Sequence, residues 1–306
     1  MTVPPPMPPP DRSGIATEQR NPRSMNLHAL SVDECVALIA AEDAAVHDAM
    51  KKASGPIAAF IRAVEPGFLA GGRLVYLGAG TSGRLGVLDA SEAPPTFQIE
   101  PGRIIGIIAG GDSALRLSSE GKEDDPRGAA EALRALSLGT NDTVLGIAAG
   151  GTTPYVLGAL DLCKAMDPAP MTGLLVCSPI QKPASADHLV VLETGPEVLT
   201  GSTRMKAGTA TKLALNTIST TLMVRSGRVH ENLMVDLRAT NDKLRDRAAR
   251  IVATLTGLSR PQALHLLESA GGAAKTAVVM HRLSVDRVEA EARLLRAGGR
   301  IGNVIR

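Results

Sequence analysis

Short apolar runs alternate with helix-compatible segments through the first two-thirds of this 306-residue chain. Continuous apolar runs of this length predict strands that are buried on both faces. The five predicted strands occupy residues 73–78, 104–109, 142–147, 171–177 and 188–192. Strands that alternate with helices are typical of a doubly wound, mostly parallel sheet. We therefore expect an α/β fold with helices on both sides of the sheet.

The segment before the first strand has a helical pattern that is interrupted once. A capping box that begins at Ser31 marks a helix start. Gly55-Pro56 predicts the end of that helix near residue 53, and a second helix should reach about residue 69. Farther along, Asp125 and Pro126 suit the N-cap and the first position of a helix over 126–137.

The pattern changes near residue 240, after which no strand is predicted. Glycines separate four short helical patterns, at 243–257, 261–270, 275–283 and 285–297. The start of the chain is rich in proline and lacks apolar periodicity, which is typical of disorder. We expect a disordered tail over 1–16, an α/β domain over 17–240 and a small helical domain over 241–306.

Composition and charge exclude several classes of function. The net charge of +2 indicates no nucleic acid partner, and the aromatic content of 2% leaves few platforms on which bases could stack. No signal peptide and no apolar run of membrane length is found, so we expect a cytoplasmic protein without a membrane partner. The three cysteines and six histidines lack metal-ligand spacing, so no metal site is expected.

The densest stretch of candidate chemistry is residues 71–97. The first predicted strand is followed by Gly80, Thr81 and Ser82, where the next helix should begin. Glycine permits close backbone approach, and a helix N-terminus offers free N–H groups and a positive dipole end. A glycine turn with two hydroxyls at that position predicts an anion site. The helix itself is expected to end before Pro94-Pro95.

Other interpretations of this turn remain open. Gly78, Gly80 and Gly83 match the dinucleotide-binding pattern G-x-G-x-x-G, and Asp112 lies where a ribose-binding acid could follow the next strand. The same stretch nearly matches a nucleotide P-loop, but Arg84 stands where that motif needs lysine. An ordinary tight turn between a strand and a helix is the third alternative. The two hydroxyls favour a terminal phosphate.

Three loops should meet beyond the carboxyl ends of the parallel strands, where ligands bind in such sheets. They cover residues 78–82, 110–113 and 148–153, and each contains glycine with serine or threonine. Gly110 and Thr153 are the candidate binding residues of the second and third loops. We expect one polar crevice of about the size of a phosphate.

A second dense stretch covers residues 195–216. Ser202 and Thr203 precede a long predicted helix, and Arg204 and Lys206 lie in its first turn. Cations at that end oppose the helix dipole, and an anionic ligand would offset the cost. The alternative is an ordinary serine or threonine cap beside solvated basic residues.

These stretches together resemble one family, the N-acetylmuramic acid 6-phosphate etherases, which have the sugar isomerase (SIS) fold. The resemblance covers nearly everything from residue 17 onward. Its most specific segments are 17–24 (TEQRNPRS), 71–97, 106–111, 195–210 and 232–251. The glucokinase regulatory protein of vertebrates shares the SIS signatures, but it is much longer and has two such domains.

The resemblance implies cleavage of the ether between D-lactate and C3 of an amino-sugar phosphate. A base removes the C2 proton of the open-chain aldehyde, an acid protonates the departing lactate, and water then adds. No metal or other cofactor is implied. Glu92 is similar to the family's proton donor and Glu123 to its second catalytic carboxylate. On the residues alone, Glu123 could also belong to a solvated acidic turn that caps a helix.

The sequence departs from the family in one crevice loop. Gly150-Gly151-Thr152 stands where the family usually has Ser-Gly-Arg, so a hydroxyl and a guanidinium are missing. Arg84, Arg204 or Lys206 could compensate. Other functions stay open, namely a non-catalytic sugar-phosphate sensor, a phosphosugar isomerase and, more distantly, a dehydrogenase.

The spacing of the candidate residues also predicts assembly. Ten residues of straight helix place Glu92 about 15 Å from Ser82, farther than a hexose phosphate reaches from its phosphorus to C3. Either the chain bends back before Pro94-Pro95, or a second subunit completes the site. Relatives with the SIS fold commonly have their sites at dimer interfaces, and small residues after Met205 suit close helix packing. We expect a homodimer.

Overall fold

The structure is a computed structural model that describes residues 11–117, 119–237 and 241–305. Its centre is a parallel sheet of five strands in the order β2-β1-β3-β4-β5. The strands are β1 (Leu74–Gly78), β2 (Ile104–Ile108), β3 (Thr143–Ile147), β4 (Met171–Val176) and β5 (His188–Val191). All five strands predicted from the apolar runs are present, and the predicted α/β fold is confirmed.

Helices cover both faces of the sheet and continue beyond it. They are α1 (Val32–Leu69), α2 (Gly80–Phe97), α3 (Ala130–Leu136), α4 (Pro154–Lys164), α5 (Lys206–Arg225), α6 (Asp242–Thr256), α7 (Arg260–Ser269), α8 (Ala274–Leu283) and α9 (Arg287–Arg296). A short antiparallel hairpin, β6 (Val229–His230) and β7 (Leu233–Met234), follows α5. Residues 1–10 of the predicted tail lie outside the described residues, and residues 12–15 form a turn that leads into the 3-10 helix Ala16–Glu18.

Alternate residues of each strand enter different cores, as the period of two requires. In β1, Leu74 and Tyr76 pack with α1, α2 and α5 on one face. Val75 and Leu77 pack with α3 and α4 on the other. A third core lies under α6–α9 and includes Val235 from the segment before them.

Helix α1 runs unbroken for 38 residues, so the predicted interruption at Gly55-Pro56 is wrong. A proline inside a helix removes one hydrogen bond and costs about 3 kcal/mol. One apolar face continues past the proline, however, and its burial outweighs that cost. The buried residues on this face are Val46, Ala49, Ala53, Ile57, Phe60, Ile61, Val64 and Phe68.

Two other predicted helix boundaries are also wrong. Helix α2 continues through Pro94 and Pro95 to Phe97, because buried Ala93 and Phe97 extend its packed face. It ends where Gln98 takes up a left-handed conformation, with φ of 53°. Helix α3 begins at Ala130 rather than at Pro126, and no side chain caps it.

The close approach of α2 to the sheet depends on glycine. A Cβ atom at Gly83 would lie 2.6 Å from the carbonyl oxygen of Gly78 and 2.7 Å from Cγ1 of Ile108. Neither neighbour is a flexible chain end, so the helix would have to move away from β1 and β2. The close packing of the start of α2 on the sheet therefore requires a residue without a Cβ atom at position 83.

Replacement of Gly83 by alanine should lower the free energy of unfolding by about 1–3 kcal/mol, because overpacking displaces α2. Gly55→Ala is the matched control, since a Cβ atom at that position of α1 meets nothing within 4 Å. It should stabilise the protein by about 0.5–1 kcal/mol through helix propensity. Urea unfolding of both variants measures the effect, and equal stabilities would contradict the close-approach argument.

Candidate functional site

A polar crevice lies at the carboxyl edge of the sheet, where β1 and β3 end side by side. Gly78 and Ile147 are in register there. The crevice has a volume of ≈ 240 Å³, enough for a small phosphorylated ligand group. It is lined by Arg12, Glu18, Ala79, Gly80, Thr81, Ser82, Glu123, Ile147, Ala148, Ala149, Gly150, Thr152, Thr153, Gly201 and Thr203.

One wall of the crevice is the first turn of α2. The N-cap residue Ala79 has no side chain that can accept from the free N–H groups, and no side-chain cap is present. Gly80 begins the helix at φ of 51°, a backbone conformation that residues with a side chain rarely adopt. The hydroxyl-bearing residues Thr81 and Ser82 follow at once. This turn offers free N–H groups, two hydroxyls and the positive end of a dipole to an anion.

Further threonines of the crevice come from the loops that precede α4 and α5. Thr153 is the N-cap residue of α4, and Thr203 precedes α5. The first turn of α2 also packs against α5, since the methyl group of Thr81 lies 3.4 Å from a Cβ position at Gly208. Thus six of the predicted residues share one crevice, namely Gly80, Thr81, Ser82, Glu123, Thr153 and Thr203. Their roles stay predictions.

Glu123 is held in the crevice by the start of α4. Its carbonyl oxygen accepts a hydrogen bond of 2.9 Å from the backbone N–H of Tyr155. Gly158 lets the chain pass close by, because a Cβ atom there would lie 2.0 Å from the carbonyl oxygen of Pro126. Glu123 is half-buried and does not cap α3, which begins seven residues later. The half-buried Glu123 side chain therefore does not match the solvated, helix-capping acidic turn.

Other predicted binding residues lie outside the crevice lining. The Nε–H of Arg84 donates to the carbonyl oxygen of Leu115, and the side chain of Arg204 is exposed. Ser202 is half-buried beside Thr203. Gly110 shapes a neighbouring loop, since a Cβ atom there would lie 2.6 Å from Oγ of Ser119.

Lys206 is committed to a buried carboxylate. Its ammonium donates to Glu42 at 2.6 Å, and the two side chains are 2% and 1% exposed. The amide of Asn21 donates to Glu42 at 2.7 Å, and Nε of Arg23 pairs with it at 2.5 Å. Burial would raise the pKa of Glu42, but the hydrogen bonds from Lys206 and Asn21 and the charges of Lys206 and Arg23 hold it below its ordinary value.

The anion expected at the N-terminus of α5 is part of the protein itself. Both carboxylate oxygens of Glu197 accept backbone hydrogen bonds, from Lys206 at 3.0 Å and from Ala207 at 2.9 Å. Glu197 is fully buried, and this burial raises its pKa despite the two N–H donors. An external ligand is not needed to offset the dipole at this helix end.

Sequence reasoning missed two charged residues of the crevice. Glu18 belongs to the TEQRNPRS segment that carried the family resemblance, but no role was drawn from it. Arg12 lies in the segment that was assigned to the disordered tail, so no signal pointed to it. Gly201, with φ of 74°, makes room for Glu18, whose Oε2 lies 3.2 Å from a Cβ position there.

Comparisons with known proteins find similar sequences and similar structures. The family model for the glucokinase regulatory protein N-terminal SIS domain matches residues 56–164. An N-acetylmuramic acid 6-phosphate etherase of Gloeobacter violaceus is 49% identical over 95% of this chain and 94% of its own. One from Mycolicibacterium smegmatis is 45% identical over 96% and 99%. A solved phosphoheptose isomerase from Neisseria gonorrhoeae is 19% identical over 63% of this chain and 98% of its own, with a TM-score of 0.45.

This chain belongs to the N-acetylmuramic acid 6-phosphate etherase family. The membership predicted from the motifs is confirmed, and with it the SIS-type fold. The departure from the etherase pattern lies inside the crevice, because Gly150 and Thr152 both line it. In the described part of the chain, no helix has the length and apolar character needed to cross a membrane.

The predicted proton donor of the etherase, Glu92, lies outside the crevice lining. It is exposed on α2, ten residues after Ser82 and about 15 Å farther along the axis. Helix α2 is unbroken from Gly80 to Phe97, so the chain does not bend back before Pro94-Pro95. Of the two alternatives drawn from the spacing, that one is wrong.

Replacing Lys206 by methionine should destabilise this etherase by about 3 kcal/mol, because Glu42 would keep a buried charge with one partner fewer. Lys212→Met is the matched control, since Lys212 is exposed on the same helix and should change stability by less than about 0.5 kcal/mol. Urea unfolding at neutral pH gives both values. A small effect of Lys206→Met would mean that the buried pair contributes little.

The same comparison at acid pH tests the charge of Glu42. A folded-state pKa below the ordinary value of 4.5 gives stability that is present above that value and is lost as the pH falls through the lower folded pKa. Loss of Lys206 removes part of the cause of the shift. The stability difference between wild type and Lys206→Met should therefore shrink as the pH falls below 4.5.

Proposed function

We propose that this protein cleaves the D-lactyl ether of N-acetylmuramic acid 6-phosphate and releases N-acetylglucosamine 6-phosphate and D-lactate. The observation that carries the proposal is a crevice in which several hydroxyl-bearing residues and the half-buried Glu123 line one space. The chain that forms this crevice is 49% identical to a named etherase. The phosphate would bind to the first turn of α2, with Thr81, Ser82 and Thr203 as donors. Ser202 would support this group.

The reaction needs one base and one acid. The C1 aldehyde of the open-chain sugar acidifies the C2–H bond, so Glu123 would remove that proton as the C3–O bond breaks. Glu92 would protonate the departing lactate oxygen, which leaves a C2=C3 double bond. Water then adds at C3 while C2 regains a proton. No step draws on a cofactor.

A second copy of the chain would supply Glu92. The exposed face of α2 carries Leu88, 45% exposed, one helical turn before Glu92, and α5 presents Leu213, 38% exposed. The small residues after Met205 are buried within the same chain, so they would not form the partner surface. We propose a homodimer in which the α2 helix of each copy completes the crevice of the other.

The remaining parts of the proposal concern organisation and location. Residues 241–306 would form a small helical domain, which is supported by the separate core under α6–α9. A cytoplasmic location is supported by three free cysteines, two of them buried. This location suits recycling of cell-wall sugars.

The proposal predicts that Glu92→Gln and Glu123→Gln each cut lactate release about a hundredfold or more, with little effect on folding. Glu131→Gln, an exposed carboxylate on α3, is the control and should keep full activity. An enzymatic assay of D-lactate measures the rates. If the wild type bound the sugar phosphate and released no lactate, the sensor hypothesis would replace this one.

Subunit mixing tests the shared site. Glu92→Gln and the double variant Thr81→Val with Ser82→Ala should each be inactive alone, because each lacks a different half of the site. Their heterodimer contains one intact site, so about half of the dimers in an equal mixture should regain activity. Light scattering and differently tagged subunits verify exchange. Exchange without rescue would place both groups in one chain.

A further inference from the structure

Arg12 is the one cation among the described residues that line the crevice. The other lining residues are small, apolar or hydroxyl-bearing, apart from the carboxylates of Glu18 and Glu123. Resting on the proposed function, we infer that Arg12 binds the lactyl carboxylate of the substrate and so determines specificity for the ether over the plain sugar phosphate.

The position of Arg12 is fixed by packing of the segment that follows it. The carbonyl oxygen of Arg12 accepts a hydrogen bond of 3.0 Å from the N–H of Ile15, which closes a turn. Cγ2 of Ile15 and Oγ1 of Thr17 lie 3.4 and 3.7 Å from a Cβ position at Gly150. The turn that carries Arg12 therefore lies against the loop between β3 and α4.

Thr17 anchors this segment to the sheet. It is fully buried, and its N–H donates to Oγ of Ser178, just beyond β4, at 3.2 Å. Ser178 in turn donates to Oγ1 of Thr17 at 3.3 Å. A residue five positions before such an anchor has a restricted range, so the backbone of Arg12 stays beside the crevice that this residue lines.

The other basic residues near the crevice are unsuited to this role. Arg84 donates to the carbonyl oxygen of Leu115, and Lys206 is buried in its pair with Glu42. Arg204 is exposed and does not line the crevice. Among the described residues, none forms an ion pair with the guanidinium of Arg12, which leaves its donors available.

The substrate carries two anionic groups, and the crevice offers two different kinds of donor. The first turn of α2 supplies N–H groups and hydroxyls, which match the oxygens of a phosphate monoester. A guanidinium presents paired N–H groups that match a carboxylate in a bidentate arrangement. Glu18 and Glu123 would repel the carboxylate elsewhere in the crevice, so Arg12 is the one charged group that attracts it among the lining residues that the structure describes.

The test compares Arg12→Ala and Arg12→Lys with the wild type on two ligands. N-Acetylmuramic acid 6-phosphate has both anionic groups, whereas N-acetylglucosamine 6-phosphate lacks the carboxylate. For Arg12→Ala we expect kcat/KM for lactate release to fall about tenfold or more, mainly through KM. The Kd for N-acetylglucosamine 6-phosphate, measured by calorimetry, should stay unchanged. Arg12→Lys should recover part of the loss, because it keeps the charge without the planar fork.

Controls separate the possible failures. Arg134→Ala removes an exposed arginine of α3, outside the crevice lining, and should behave as wild type. Thermal unfolding of Arg12→Ala should match the wild type, since the side chain is exposed. Equal weakening of both ligands would assign Arg12 to the phosphate and overturn the inference, as would an unchanged kcat/KM. A wild type that releases no lactate would instead refute the proposed function.

Discussion

The shape of the crevice depends on the buried carboxylate of Glu42. Three donors from two parts of the chain converge on it, namely Lys206 from α5 and both Asn21 and Arg23 from the segment before α1. A carboxylate removed from water is costly unless its oxygens are fully paired. The charge can stay buried only while these donors converge, so they fix α1, α5 and the N-terminal segment relative to one another.

This constraint reaches the crevice through very short connections. Thr203 lies three residues before Lys206, and Glu18 lies three residues before Asn21. The buried Glu197 also binds the first two N–H groups of α5, which fixes the loop that leads into Thr203. Two adjoining parts of the crevice lining, around Glu18 and Thr203, are thus positioned by carboxylates that do not themselves line the crevice. Glu42 and Glu197 accept hydrogen bonds from donors that would otherwise be available to an anionic ligand.

The fold was predictable where one local pattern decides the structure. The apolar runs gave all five strands, and the glycine and hydroxyl pattern after the first run located the first turn of α2. Prolines misled the prediction at Gly55-Pro56 and Pro94-Pro95, because burial of one continuous helical face outweighs a missing N–H group. Such burial depends on distant segments, which a local pattern does not contain.

The candidate site was only partly predictable for a similar reason. Lys206 seemed available from its place in a first helical turn, but its partner Glu42 is 164 residues away along the chain. Arg12 gave no signal, since a proline-rich start is typical of disorder and its position follows from the contacts that Ile15 and Thr17 make with distant loops. Pairings across such distances follow from the folded topology, and the composition of either segment alone does not indicate them.

The unbroken helix α2 carries two proposed functional groups, the anion-binding first turn and Glu92, at separate places along its axis. Its first turn faces the crevice, whereas Glu92 lies about 15 Å along the axis on an exposed face. Helix α2 cannot rotate about its axis to turn Glu92 inward, because the buried Asp89 accepts hydrogen bonds from Tyr76, Asn216 and Ser219. In its proposed role Glu92 protonates departing lactate and has to be shielded from bulk water, whereas one chain alone leaves it exposed. A second copy that covers the exposed face of α2 would shield the carboxyl group and bring a crevice to it.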